Sequence, residues 1–176
     1  MDTTNKSHQN INNEILLNAI TKSIVNKSEQ AHNIVYKHLI ASMTVSLIPI
    51  PMFEAAALMG IQLKMLKNLC NLYGYKFSET WGKSVIASLL SFFGTKVALV
   101  PLTANIAKII PGIGTASALA SMSILSGYST YIMGKVFIHH FESGGTFLDF
   151  NPDEKEIQAR LQRYFDEGKK MALKMS

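Results

Sequence analysis

Polar and apolar positions change their rhythm three times along this chain. From about Asn12 to Val35, Ile15, Leu16, Ala19, Ile20, Ile24, Ala31 and Ile34 recur loosely at helical spacing among Asn, Ser and Lys, the pattern of an amphipathic helix. Residues 1–10 are polar and read as disordered. Charges vanish over Leu39–Leu47, and Ile48-Pro49-Ile50-Pro51 stops the helix, because each Pro lacks an N–H and disfavours helix in the residue before it. A second helix is predicted from Met52 to Tyr73, with Glu54 near its start and Gly74 as its C-terminal stop. Ser78 caps a third, carrying Val85–Val100 to Pro101. A short segment, Thr103–Ile110, leads to Pro111-Gly112-Ile113-Gly114. A fourth helix runs from Thr115 to Phe141 and ends at Gly144-Gly145. The last is capped by Asn151, with Pro152 at its first position and Ile157, Leu161, Tyr164 and Phe165 on one face. Nothing alternates with period two, so the fold is predicted to be all-α.

The charge distribution sharpens this picture. Thr80–Phe141 contains no acidic residue and four full charges, Lys83, Lys96, Lys108 and Lys135, and within it the 26 residues Ile109–Gly134 carry none. At about 1.5 Å per residue such a run exceeds a ~30 Å hydrocarbon layer. Charged residues are 16% of the chain, below the usual ~25%, and most lie at its ends. Three regions follow: a polar segment with an amphipathic helix over 1–38, an apolar helical domain over 39–150, and an amphipathic helix over 151–176. The preferred architecture is a membrane-associated helical protein with a central apolar hairpin, Val85–Ile110 and Thr115–Ile138, flanked by amphipathic helices. The other reading of the same run is a helix buried in a soluble bundle; its length and missing acids favour the membrane.

Small residues recur four apart in the fourth helix. Ala116, Ala120, Ser123, Gly127, Thr130 and Gly134 mark a packing seam within the chain or between subunits, because small side chains let backbones approach. Pro111, Gly112 and Gly114 form the hairpin break. Glu54, Lys96 and Lys108 are candidate intramembrane charges, or groups held at a headgroup boundary.

Enzymatic chemistry finds no foothold. There is no Gly-x-Ser-x-Gly elbow and no phosphate loop, and Gly112-Ile113-Gly114 is half of a dinucleotide fingerprint with no strand before it. Cys70 is the only cysteine, which excludes intramolecular disulfides and Cys-based zinc clusters. His139-His140 point about 100° apart on a helix and lack an i+4 ligand. No catalytic residue, metal or cofactor is predicted. The net charge of +5 comes with only two Arg and no basic stripe, so nucleic acid is not an expected partner. The N-terminus lacks the basic-then-apolar pattern of a signal peptide.

Several segments together resemble a known family: Ile48-Pro49-Ile50-Pro51; Ile61-Gln62-Leu63-Lys64-Met65-Leu66 leading to Leu72-Tyr73-Gly74; Ile110-Pro111-Gly112-Ile113-Gly114-Thr115; Ser129-Thr130-Tyr131-Ile132-Met133-Gly134-Lys135; and Phe141-Glu142-Ser143-Gly144-Gly145. Over residues 39–150 the chain resembles the bacterial YcjF-type domain of unknown function, found alone or C-terminal to Ras-like GTPase domains. The resemblance implies a membrane-associated helical domain tied to GTPase systems and no catalytic residue. Any GTPase would here be a separate partner. The expected function is a non-enzymatic, self-associating interaction module at the bacterial inner membrane with both termini cytoplasmic. A pore-forming or membrane-perturbing oligomer and a soluble all-α binding protein are the alternatives.

Overall fold

The structure is a computed structural model that describes residues 3–48, 51–99 and 114–174, with side chains over 13–48, 53–92 and 123–167. The described residues form five helices and no strand: α1 (Thr3–Val45), α2 (Pro51–Tyr73), α3 (Glu79–Leu99), α4 (Gly114–Glu142) and α5 (Lys155–Lys174). Helix α1 starts earlier than expected and includes most of the segment predicted to be disordered. Neither Gly nor Pro occurs in Thr3–Val45 to interrupt it.

The breaks follow local chemistry. Pro51 occupies the first turn of α2, where its missing N–H costs nothing. Gly74 ends α2 at φ +81°, with Tyr75 N–H donating to Cys70 O at 2.8 Å and Gly74 N–H to Asn71 O at 3.3 Å. Gly144 ends α4 in the same way at φ +91°, with Gly145 N–H to His140 O at 3.0 Å and Gly144 N–H to Phe141 O at 3.1 Å. Both are paired-bond C-terminal caps that need a left-handed residue. Ser78 accepts the Trp81 N–H at 3.4 Å and opens α3. Asn151 Oδ1 accepts from Asp153 N–H at 3.1 Å, but a turn intervenes and α5 begins at Lys155 rather than Pro152.

Helix α1 packs chiefly on α4 and next on α2. The pairs Ser46–Ser126, Ser42–Thr130 and His32–Lys135 show that α1 and α4 run antiparallel. Gln62–Thr130 and Tyr73–Glu142 show that α2 runs parallel to α4. The bundle therefore has two ends. Its foot holds the α1–α2 connection and the start of α4. Its head holds the turns after α2 and α4. Helix α5 descends from the head, since Phe150 stacks on Phe137 at 4.2 Å while Tyr128 Oη donates to the Tyr164 carbonyl lower down.

The core is aromatic at the head. Phe137, Phe147 and Phe150 are fully buried there, with Phe77 stacked on Phe147 at 5.2 Å and Tyr75 against Phe141 at 5.0 Å. Trp81 Nε1–H ties α3 to the Phe147 carbonyl at 3.0 Å. Below this lies an aliphatic core that includes Val35, Met65, Leu66, Leu69, Val85, Ile86, Leu89 and Met133.

No described helix is long and apolar enough to cross a membrane. This corrects the expected bilayer-spanning hairpin for the described parts of its two arms. The reason lies in α4. It is buried nearly all round between Ser123 and Ile138, and a helix enclosed by protein excludes charge as a lipid-enclosed one does. Its interior serines and threonine lower its hydropathy; Ser123, Ser126 and Thr130 hydrogen-bond to neighbouring helices, and Ser129 to its own.

Candidate functional site

The inner face of α4 meets α1 and α2 through a polar seam. Ser123 Oγ donates to the Met43 carbonyl at 2.7 Å, Ser46 Oγ donates to Ser126 Oγ at 2.6 Å, and Ser42 and Thr130 share a hydrogen bond at 2.8 Å. Gln62 Nε2 donates to Thr130 Oγ1 at 3.2 Å, and Ser129 Oγ donates to Ser126 O at 2.9 Å. Thr130, Ser42 and Gln62 are fully buried, and Gln62 Oε1 has no partner. Hydroxyls satisfied this way are well placed in an interior; one orphaned amide oxygen is a local cost.

Two glycines set the approach of the helices. A Cβ on Gly134 would lie 2.6 Å from Val35 Cγ1 and would overlap Cγ2. A Cβ on Gly127 would overlap the Met43 side chain and lie 3.4 Å from the Leu39 carbonyl. The structure thus places Ser123, Gly127, Thr130 and Gly134 along α1, within one chain. Ala116 and Ala120 lie on α4 without described side chains, Gly114 opens that helix, and Lys108, Pro111 and Gly112 lie outside the described residues. Glu54 is partly exposed in the first turn of α2, and Lys96 falls near the end of α3; both are at the foot. The α1 and α2 side of the seam, Ser42, Ser46 and Gln62, went unnoticed in the sequence, although Ser42 and Ser46 stand four apart in an apolar stretch, the same signal that marked α4.

Near the head, His32 bridges α1 and α4. Its Nδ1–H donates to the Ser28 carbonyl at 2.8 Å, which leaves Nε2 to accept from Lys135 Nζ at 2.8 Å. Among the described residues no group of three or more His, Cys, Asp or Glu could hold a metal ion, and His140 has other partners. Its Nε2–H instead clamps the loop after α4, facing Thr146 O and Asp149 Oδ1, each at 2.9 Å. The Asp149 carboxyl is held below its ordinary range: desolvation raises it, but the Thr146 N–H, 2.8 Å away, and His140 lower it further. Burial pushes the Cys70 thiol up to about 12, so it is an inert core group rather than a nucleophile.

Two regions expose apolar side chains among the described residues. At the foot, Leu47, Ile48, Phe53 and Ile124 are 52%, 41%, 53% and 60% exposed. Beyond the head, every residue of α1 from Asn13 to Lys27 is exposed, including Ile15, Leu16, Leu17, Ile20, Ile24 and Val25. Isolated surface apolar residues are ordinary; contiguous ones mark interaction surfaces.

Over the described residues the fold is an all-α bundle of five helices. The chain belongs to the family described as a domain of unknown function (DUF697), which matches residues 12–170. One relative, magnetosome membrane protein 22 of Magnetospirillum gryphiswaldense, is 34% identical over 155 residues, covering 88% of this chain and 78% of that protein. No solved structure matches the chain.

Proposed function

We propose that the protein is a non-enzymatic helical interaction module that seats on a bilayer by the foot of its bundle. The exposed cluster of Leu47, Ile48, Phe53 and Ile124 carries this reading. Side chains of this kind enter the headgroup–acyl boundary to a depth of about 5–10 Å without crossing the bilayer. The head bears Lys76, Glu79, Lys83 and Asp149 and stays in water. Glu54 and Lys96, at the foot, then meet headgroups rather than hydrocarbon, where charge is far cheaper. Helix α5 descends toward the foot, and its last turns hold Lys169, Lys170 and Lys174, which favours anionic lipid. A relative named as a magnetosome membrane protein supports the same reading. Seating by one end leaves both the N-terminal helix and the α4–α5 loop on one side of the bilayer, the cytoplasmic side in a bacterium.

Self-association belongs to this function, as does a GTPase on a separate chain. The latter rests on the resemblance of residues 39–150 to YcjF-type domains and predicts nucleotide-dependent co-purification.

Flotation with vesicles tests the seat. The full chain is expected to float with phosphatidylglycerol vesicles, and Phe53→Asp with Ile124→Asp to abolish flotation at unchanged melting temperature. A chain that remains unbound to every vesicle composition would end this reading.

A further inference from the structure

Helix α1 continues past the helices that cover it, and residues 3–26 project beyond the head as an arm. Where the arm joins the bundle, α1 is tied to α4 by a histidine. His32 is half-buried, and its Nδ1–H is committed to the Ser28 carbonyl at 2.8 Å, so Nε2 presents a lone pair to Lys135 Nζ at 2.8 Å. That second bond exists only while the ring is neutral. An imidazolium carries an N–H at both nitrogens and then sets one of them against an ammonium, which has no lone pair to offer.

Other histidines of the bundle lack this property. His38 makes the same bond to the carbonyl four residues back, Nδ1–H to Ile34 O at 2.7 Å, but no lysine is bonded to its Nε2 among the described residues. His140 faces two acceptors, Thr146 O and Asp149 Oδ1, which a protonated ring satisfies as well as a neutral one. The groups around His32 do not replace the lost bond. From α4 it meets Lys135. Glu29 and Tyr36, three and four residues away, are exposed and on the same helix as His32, so attraction to Glu29 does nothing to hold α1 on α4. On α2, Tyr73 at the root of the arm lies beneath Lys27 and donates to Glu142. Helix α5 packs on α4, and its Arg160 is held by Glu156.

We propose that His32 and Lys135 form an acid-released latch at the root of the arm. Imidazoles change charge between pH 5 and 8. The bonded form is the neutral one, so the latch is closed at the upper end of that range and opens as pH falls through it. The next contacts along α1, Val35 over Gly134 and Ser42 with Thr130, do not titrate and hold the rest of the helix in place. Release is therefore local. It frees the turn that carries Ala31, buried in the closed form, and extends the exposed row of Leu17, Ile20 and Ile24 toward the bundle.

Distance measurement tests the latch without any membrane. Spin labels at Gln30→Cys and Ser143→Cys in the full chain span the gap between α1 and α4 on the arm side of His32, and both positions are exposed. Cys70 stays in place, because burial keeps it from the reagent. From about pH 8 to about pH 5.5, across the imidazole range, the doubly labelled chain is expected to lose most of its short-distance population. His32→Gln offers Lys135 an amide oxygen at any pH and should keep that population throughout. Lys135→Met removes the opposing cation and should give the same distances at both ends of the range. Over that range the melting temperature should fall about 3 °C further with His32 than with His32→Gln. Distances that hold in the wild-type background would overturn the proposal. So would an equal acid change in His32→Gln, which would place the sensitive group elsewhere.

Discussion

From Ala31 to Ser46, α1 buries a row of small and branched residues, Ala31, Val35, Ser42 and Ser46, against α4 and α2. From Asn13 to Lys27 the same helix exposes every residue, including the larger Leu17, Ile20 and Ile24 on the continuation of that row. The two halves differ in what their side chains require. The covered half sets Met43 and Val35 against Gly127 and Gly134 and its hydroxyls against Ser126 and Thr130, so its bulk is received by glycine and its polar groups by hydrogen bonds. The uncovered half carries bulk without a matching recess among the described residues. Close backbone approach is a property of the first half alone, and substitutions should separate the two.

The largest effect is expected at Gly134. Leucine there collides with Val35, a branched side chain with one strongly preferred rotamer on a helix, and should cost about 3 kcal/mol, the upper range for overpacking. In a chain of this length that lowers the melting temperature by on the order of 10 °C. Gly127→Leu should cost less, since Met43 is unbranched and can move, and Leu125→Ile less again. Thermal melts rank the three, and the reaction of Cys70 with a thiol reagent, suppressed in the fold, reports the same opening. Equal melts for all three would mean that α1 and α4 are not in contact.

Next in size is the polar seam. Thr130→Val keeps the shape but leaves both Ser42 Oγ and Gln62 Nε2 without their partner, and should cost about 1–3 kcal/mol. Adding Ser42→Ala should cost less than in the wild-type background, with a coupling of about 1 kcal/mol in a double-mutant cycle. Strict additivity would disprove the hydrogen bond.

A smaller, pH-dependent effect belongs to the clamp where α4 ends and the arm begins. Asp149 has a depressed carboxyl in the fold. Its contribution is therefore fully present above the unfolded value near 3.9 and is lost as pH falls through the lower folded value. Asp149→Asn should flatten the melting temperature against pH below about 4 and change it only slightly at neutral pH, because the side chain is 58% exposed. An unchanged acid limb would show that the clamp does not contribute.

The smallest effect on stability, within about 0.5 kcal/mol, is expected for Leu17→Asp on the arm. A loss comparable with that at Gly134 would mean the arm folds back on its own bundle and would erase the contrast between the halves.

Much of this was legible in the chain. Pro51, Gly74 and Gly144 punctuate it whatever the helices meet, because fixed φ, a missing N–H and a left-handed cap act within a few residues. The small-residue row through Ser123, Gly127, Thr130 and Gly134 could be read as a close-packing face because helical spacing alone aligns it. The early start of α1 and the late start of α5 were misplaced, since a polar helix end and a capped turn look alike in sequence. Tertiary structure alone decided what covers that row. A bilayer and a protein interior both exclude charge, so the uncharged run through α4 fits either; only the position of Ser42, Ser46 and Gln62 opposite its hydroxyls shows protein there. It also decided that α1 continues past its partners. Periodicity fixes which residues share a face, a property of one helix, whereas what lies against that face depends on where a second helix begins and ends.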